Sequence, residues 1–347
     1  MIRRVLFIGR FTGFAGGIER YAYAAANRLK AEGVEVDWVG CEKSRDEEIF
    51  RRAFHAVHAG VPEGDYDEVV IHKLPSLKTL RELKARFGEK LVFFAHDHDL
   101  YCPRRHYYTP FGRRNCHRAY SPFRCLLCSL VTSPRNWPRV FAARTGAALS
   151  LLRDCRARVI SRFMKENLVK NAFRAEKIEI VAPEVPQVRP LKRYSPVEGR
   201  PIRLLFVGQL IAGKGCDLFL EVLSLLAARG VKYAATVVGA GKDLERLERA
   251  AKARELNVEF TGWTEDPSPY YDAADLTLFT SRWQEPYGLV GAESIARGVP
   301  VVAFKVGGVE EWLLDGVNGR LVEEGNVEAM AAAVAEYAAS GSLKGEK

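Results

Sequence analysis

The sequence has no long hydrophobic run. No stretch reaches the roughly 18 apolar residues that a membrane-spanning helix needs, so none is expected. The chain enters a strand pattern, Val5 to Ile8, without an apolar leader segment, and a cytoplasmic protein is the expectation. Two nucleotide fingerprints are incomplete. The glycines after that strand, Gly9, Gly13, Gly16 and Gly17, do not space as G-x-G-x-x-G. Gly208 to Gly215 reads G-Q-L-I-A-G-K-G, a P-loop except at its end, where Gly215 replaces the hydroxyl residue that holds Mg²⁺. Nucleotide hydrolysis is rejected on that ground. Acidic residues are scarce in one segment. From Tyr101 to Lys170 there are 15 Lys or Arg against 2 Asp or Glu, in a chain of net charge +9. So basic a block points to an anionic partner: nucleic acid, a phospholipid surface or a diphosphate-linked substrate. The plainer alternative is a solvated basic face.

What is present divides in two. The 347 residues, 48% apolar, suffice for two domains with cores. Strand and helix patterns alternate at Val5 to Ile8, Ile18 to Lys30, Glu35 to Val39, Glu68 to Ile71, Leu77 to Arg86 and Lys90 to Ala95, which predicts a parallel sheet covered by helices. Helical patterns at Val140 to Leu152 and Phe163 to Asn171, with strand patterns at Val159 to Ser161 and Ile178 to Val181, complete this half. Prolines 183, 186, 190, 196 and 201 then crowd a linker-like stretch with Lys192, Arg193 and Gly199. The second half restarts the first: Arg203-Leu-Leu-Phe-Val-Gly208 echoes Arg4-Val-Leu-Phe-Ile-Gly9. Further strands are predicted at Ala235 to Val238, Val258 to Thr261, Leu276 to Phe279, Val299 to Ala303 and Arg320 to Val322. The expected division is an N-terminal domain 1–185 with an insert 97–138, a linker 186–201 and a C-terminal domain 202–347. The tail after Ala339 is expected to fray.

The chemistry concentrates in Glu285 to Glu293, E-P-Y-G-L-V-G-A-E. It follows an apolar strand and a polar turn and leads into a helix pattern, Val290 to Arg297. Free N–H groups and the helix dipole make such a start an anion site, and Gly288 clears the way for a phosphate to reach the backbone at Gly288, Leu289 and Val290. Glu285 and Glu293 flank it. A carboxylate there does not serve the phosphate but suits neutral hydroxyls, as on ribose or a sugar ring. An acidic first turn rewarded by the dipole is the plainer reading. Lys214, on its glycine loop, supplies a point charge for a diphosphate.

Two features of the first half stand apart. His96-Asp97-His98-Asp99 falls at the carboxyl end of a strand, where open α/β sheets bind ligands. Either Asp97 and Asp99 hold a divalent metal on a diphosphate, or His96 faces the site and the rest shapes the loop. His98 is expected to be a plain packing residue. The stretch Leu100 to Pro138 shows no helix or strand period and needs a function or an external tie. It holds Cys102, Cys116, Cys125 and Cys128, a spacing that reads as a structural zinc site, an iron–sulfur cluster, a redox pair or unrelated thiols. His106 and His117 are substitute ligands for such a site. Arg104, Arg105, Arg113, Arg114, Arg118 and Arg124, mixed with Tyr101, Tyr107, Tyr108, Phe111, Tyr120 and Phe123, suit nucleic acid or an anionic membrane surface.

E-x7-E enclosing Pro-Tyr-Gly-Leu, with G-V-P-V-V-A at Gly298 to Ala303, Gly307-Gly308, Glu311 and D-G-V-N-G at Asp315 to Gly319, resembles the donor-site pattern of family-4 retaining glycosyltransferases of the GT-B fold. The resemblance is strong from Ile202 to Val322, moderate over Arg3 to Leu29 and Val92 to Ser129, and weak between Cys41 and Lys90. It implies an α/β GT-B architecture, two Rossmann-like doubly wound domains facing a cleft, and sugar transfer from a nucleoside-diphosphate sugar to a glycan or lipid-linked acceptor hydroxyl with retention. It places the Gly16-Gly17 turn near the donor diphosphate, the backbone of Phe260 to Gly262 near the base, and His96 near the transferred sugar, so it favours the second reading of that loop and calls for no catalytic metal. Gln209 stands where the family usually has an Arg, so one phosphate cation is missing or comes from elsewhere. Two other classes stay open: a zinc-stapled basic nucleic-acid-binding protein, and a nucleotide-sugar epimerase of the same fold. In the first reading the basic insert meets nucleic acid, which sugar transfer makes unlikely. In sugar transfer the insert would meet an anionic membrane, a lipid diphosphate or a polyanionic acceptor, in cell-surface polysaccharide or lipopolysaccharide assembly.

Overall fold

The computed structural model describes residues 2–109, 114–131, 138–184, 189–192, 194–195 and 200–343, and for 138–142 the backbone alone. Arg113, Phe111, Pro186, Arg193, Pro196, Gly199 and the last four residues therefore lie outside the described residues, as does half of the expected linker. The chain forms two compact units, Met1–Pro183 and Glu184–Lys347.

The first unit contains strands β1 (Arg4–Ile8), β2 (Phe11–Thr12), β3 (Glu35–Val39), β4 (Glu42–Lys43), β5 (Ala56–His58), β6 (Glu68–Ile71), β7 (Leu91–Ala95), β8 (Arg156–Val159) and β9 (Ile178–Ile180). Its helices are α1 (Gly17–Ala31), α2 (Glu47–Arg51), α3 (Leu77–Phe87), α4 (Pro122–Leu130), α5 (Pro138–Leu152) and α6 (Arg162–Lys170). The main sheet runs β5-β3-β1-β6-β7-β8-β9, every neighbouring pair parallel. Both faces of a parallel sheet are covered, which is why Val5 to Ile8 and Leu91 to Ala95 are continuous apolar runs, buried throughout. Two helices start on serine caps: Ser76 accepts from the Thr79 N–H at 3.1 Å, and Ser161 from the Met164 N–H at 3.1 Å. The strand expected at Val159 to Ser161 lies earlier, at Arg156–Val159, because Ser161 is spent as the cap of α6.

The second unit contains β10 (Ile202–Val207), β11 (Tyr233–Val238), β12 (Val258–Gly262), β13 (Leu276–Phe279), β14 (Val301–Phe304) and β15 (Gly319–Val322), with α7 (Cys216–Ala228), α8 (Leu244–Ala253), α9 (Ser268–Ala273), α10 (Leu289–Ala296) and α11 (Val327–Ser340). The sheet order is β12-β11-β10-β13-β14-β15, again parallel. These are two Rossmann-like doubly wound units. In each sheet the chain winds outward from one strand, returns to its other side and winds the other way. The reversal lies between β1 and β6 in the first unit and between β10 and β13 in the second. Loops leaving the carboxyl ends of such a strand pair diverge and leave a crevice, the usual ligand position in open α/β sheets. The echoed sequences open both: they are β1 and β10.

The insert departs from expectation in one respect. A helix, α4, occupies Pro122–Leu130 where no period was legible. Its stripe Phe123, Leu127 and Leu130, with Val131 just beyond, faces solvent, at 71%, 44%, 49% and 59% exposure. Among the described residues, no helix is long and apolar enough to cross a membrane.

Candidate active site

In the second unit, the loops after β10 and β13 meet at the sheet reversal. The meeting depends on close backbone approach. Gly215 has φ +72°, and a Cβ there would lie 1.8 Å from the Thr280 carbonyl oxygen, so only glycine fits. Thr280 Oγ1 donates back to the Gly215 carbonyl at 2.8 Å. Arg282 then grips Asp217 at the start of α7 through a two-pronged ion pair, 2.6 and 2.8 Å, and donates to the Ala212 carbonyl at 2.9 Å. This frame brings Lys214 to Glu285: Nζ donates to Oε1 at 2.7 Å, and Ser281 Oγ donates to the same oxygen at 2.6 Å. Glu285 is buried, 7% exposed. Its main-chain carbonyl accepts from the Gly308 N–H at 2.7 Å, which fastens the loop to the stretch after β14.

Gly288, at φ +86°, is the N-cap of α10, and Leu289 and Val290 are its first residues. Gly288 lacks a side-chain cap, so the first N–H groups of the helix stay available to an anion. Glu293 follows on the same helix, half-buried, accepting from Tyr271 Oη at 3.2 Å. Burial raises its pKa above the ordinary glutamate value, against the Tyr271 hydrogen bond and the Arg297 charge. Tyr271 is itself buried and raised, by burial first and then by the Glu293 charge, so it stays a phenol and a donor. Gly208 follows β10 and Gly262 ends β12, where its carbonyl accepts from the Gly239 N–H at 2.8 Å; Gln209 is exposed on the loop. Lys214, Ser281 and Glu285 thus converge in the loop that leads into α10, while Glu293 hangs on Tyr271. Ser281 and Tyr271 escaped the sequence reading. Ser281 sits in the turn after the β13 strand pattern and could have been found there; Tyr271 carries no sequence signal.

In the first unit, Gly16 caps α1 and Gly17 begins it. His96, His72 and Lys73 stand at the ends of β7 and β6. Lys73 Nζ donates to Asp97 Oδ2 at 2.8 Å and also to Asp99, with Arg105 Nε 3.5 Å from Asp99. Burial raises the Asp97 carboxyl, but the charge and hydrogen bond of Lys73 more than offset it, and its pKa lies below the ordinary value. Asp99 is raised, by burial and then by Asp97. The ammonium of Lys73 thus occupies the position between the carboxylates that the metal reading of Asp97-x-Asp99 needs. His96 Nε2 lies 2.8 Å from His72 Nδ1. Burial pushes His96 down to about 3, so the imidazole is neutral at physiological pH. His98 is a packing residue: it is buried, bonded to Tyr101 Oη at 2.6 Å and stacked on Tyr107.

Cys102, Cys116, Cys125 and Cys128 are half-buried and not joined in disulfides. Among the described residues, no group of three or more His, Cys, Asp or Glu side chains is arranged to hold a metal ion, which gives the zinc expectation no support. Burial pushes the Cys102 thiol up to about 11. Apolar and backbone contacts hold the insert: Tyr101 packs edge-on to Tyr107, Tyr108 bridges Asn115, and Tyr107 Oη donates to the Arg118 carbonyl at 2.8 Å.

Residues 189–344 match the family model described as glycosyl transferases group 1. An uncharacterized glycosyltransferase of Haemophilus influenzae is 34% identical over 144 residues, covering 41% of this chain and 40% of that protein. The lipopolysaccharide core biosynthesis glycosyltransferase LpsE of Rhizobium meliloti is 31% identical over 143 residues, 41% of each. The match thus spans about two fifths of the length of these relatives. Among solved structures, Anabaena Alr3699/HepE in complex with UDP aligns with a TM-score of 0.70 at 18% identity, covering 98% of this chain and 92% of that one. The architecture is GT-B.

Proposed function

We propose that the chain is a retaining glycosyltransferase of family 4, moving a hexose from a nucleoside-diphosphate sugar to an acceptor hydroxyl in cell-surface polysaccharide or glycolipid assembly. The observation that carries this reading is the Lys214–Glu285 pair at the reversal between β10 and β13, in the loop that leads into the α10 start and on to Glu293. As the C–O bond to the sugar breaks, positive charge develops on the ring and negative charge on the departing diphosphate. Lys214 and the amides at Gly288, Leu289 and Val290 stabilise the leaving group. One helix start contributes about 0.3–1 kcal/mol, up to about 2 when partly buried, so the lysine is needed beside it. Glu293 takes the ribose hydroxyls, Glu285 the donor sugar, and the Gly262 backbone the base. Gly16 and Gly17 approach the diphosphate, Gly208 and exposed Gln209 border it, and His96 hydrogen-bonds the transferred sugar. The acceptor oxygen forms the new bond to the sugar carbon, on the face the diphosphate leaves, and its proton departs with the diphosphate. No catalytic metal enters this reading. The group 1 match and the name of the relative LpsE support it over nucleic-acid binding or epimerisation.

The test is thermal stabilisation by UDP, GDP and ADP and their sugar conjugates, with Lys214→Ala and Glu293→Ala alongside. A ligand bound only by the folded state raises the midpoint by mass action. UDP is the first choice because the Anabaena neighbour was solved with it. One nucleotide family should stabilise the wild type and act less on both variants; no stabilisation by any would end the donor-site reading.

The insert supports a peripheral place on an anionic membrane at the cytoplasmic face. Phe123, Leu127, Leu130 and Val131 are exposed on or just after α4, and Arg114, Arg118 and Arg124 of the same insert are exposed too. The protein should sediment with anionic but not neutral vesicles, and Phe123→Ser with Leu127→Ser should abolish this. Equal behaviour with both vesicle types would refute it.

A further inference from the structure

We infer that His72 is a positioning residue that holds His96 as the tautomer with its proton on Nδ1, so that His96 presents an N–H donor to the sugar. The inference rests on the glycosyltransferase reading, in which His96 meets that sugar. The two rings lie nearly parallel, at 22° with centroids 5.1 Å apart, and their facing nitrogens, His72 Nδ1 and His96 Nε2, are 2.8 Å apart. Two neutral imidazoles can share that contact in only two ways. In one, His72 Nδ1–H donates to His96 Nε2, which leaves His96 with Nδ1–H and His72 with a bare Nε2. In the other, both assignments are reversed.

The far side of His72 decides between them. Its Nε2 is buried and finds no hydrogen-bond partner. An orphaned N–H in the interior is rarer than an under-used acceptor, because the donor loses its only bond to water. His72 also lines a cavity of about 500 Å³ together with Phe7, Tyr21, Val70, Phe94 and Arg158. The Arg158 cation acts on His72 against its protonation. A positive neighbour favours a lone pair on Nε2 over an N–H. Both arguments put the proton on His72 Nδ1, and the contact then fixes the proton of His96 on Nδ1.

The packing prevents escape by rotation. His72 meets Phe7 edge-on at 4.5 Å, and His96 is stacked on Phe94 at 4.1 Å. Burial keeps both rings neutral, His96 with a pKa of about 3 and His72 well below its ordinary value. The pair is therefore a fixed donor chain across working pH rather than a proton store.

Three substitutions test it. His72→Phe keeps a ring in the aromatic packing and removes the donor. His72→Asn places an amide near the Nδ1 position and can restore the bond to His96. His72→Gln reaches instead toward the Nε2 position and cannot. The direct readout is the ¹⁵N signature of His96 in the histidine-labelled protein, assigned with His96→Gln. Wild type and His72→Asn should show protonated Nδ1 and bare Nε2; His72→Phe and His72→Gln should lose that fixed pattern. Losing one buried hydrogen bond should lower sugar transfer about tenfold in kcat with little change in nucleotide affinity, and His72→Asn should recover it. A wild-type His96 protonated on Nε2, or a His96 signature unchanged in His72→Phe, overturns the inference. If the signatures behave as stated but the wild type, given nucleotide sugars and acceptors, transfers no sugar, the tautomer chain stands and the transferase reading falls.

Discussion

Replacing Lys214 by methionine isolates the charge that the proposed reaction needs. The substitution keeps the stem and removes the ammonium. Lys214 has two jobs in the proposed site: it neutralises Glu285 at 2.7 Å, and it faces the departing diphosphate. These have different signatures. A unit charge at about 4 Å contributes about 4 kcal/mol at an effective dielectric constant of about 20, which bounds the second job from above. Removing one donor from a site that stabilises developing negative charge costs about 10²–10³ in rate, or about 2.7–4 kcal/mol. Lys214→Met should therefore lower kcat by about 10²–10³. If the lysine served only its partner, removing both charges together would relieve the loss, because Glu285→Gln leaves no buried carboxylate to neutralise and Ser281 can still donate to the amide. The cycle of Lys214→Met, Glu285→Gln and the double variant separates the two, read as single-turnover sugar transfer with saturating donor. The double variant should remain at least about 10²-fold slower than Glu285→Gln alone. A double variant as fast as Glu285→Gln would refute the leaving-group role and leave Lys214 a structural partner.

Glu293→Gln should raise the melting temperature at neutral pH while weakening nucleotide binding. Burial holds the Glu293 pKa above its unfolded value, so the wild type loses stability as pH rises through that range, and the gain of the variant should vanish below the ordinary glutamate pKa; equal melting temperatures at neutral pH would contradict the assigned shift. Lys73→Met should destabilise the first unit by about 1–3 kcal/mol, since it leaves unpaired Asp99, 12% exposed, and Asp97, which at 36% exposure is partly screened by solvent. Without the lysine both carboxyls are raised above their unfolded values, so the deficit should shrink as pH falls through the carboxylate range. Urea unfolding at several pH values measures this, and a deficit independent of pH would show that Lys73 acts by packing alone.

The parallel sheets were legible because their strands are short, mostly apolar runs between polar segments, and Leu276–Phe279 and Glu68–Ile71 have the expected limits. The short strands β2, β4 and β5 and the helix α2 were not, being two to five residues long with no period to read. Helix α4 escaped for another reason. A helix is recognised by the apolar stripe it buries, and the α4 stripe faces solvent within a basic segment, so Phe123, Leu127 and Leu130 looked scattered. The glycine loop and the Glu285–Glu293 stretch were readable as separate motifs. Their meeting was not, because the reversal between β10 and β13 joins residues some seventy positions apart.

The same limit hid Lys73, and the two units suggest why it matters. At the reversal between β10 and β13, a lysine after one strand neutralises a carboxylate after its neighbour: Lys214 with Glu285. At the other sheet, Lys73 after β6 does the same for Asp97 and Asp99 after β7. In both, a cation after one strand pairs with carboxylates after the neighbouring strand and holds them in place at the carboxyl end of the sheet. The units differ in what remains beside that pair. The second has a helix start with unspent N–H groups, which suits a phosphate. The first has two neutral imidazoles in line, which suit a hydroxyl. A chain that only bound nucleic acid would need neither.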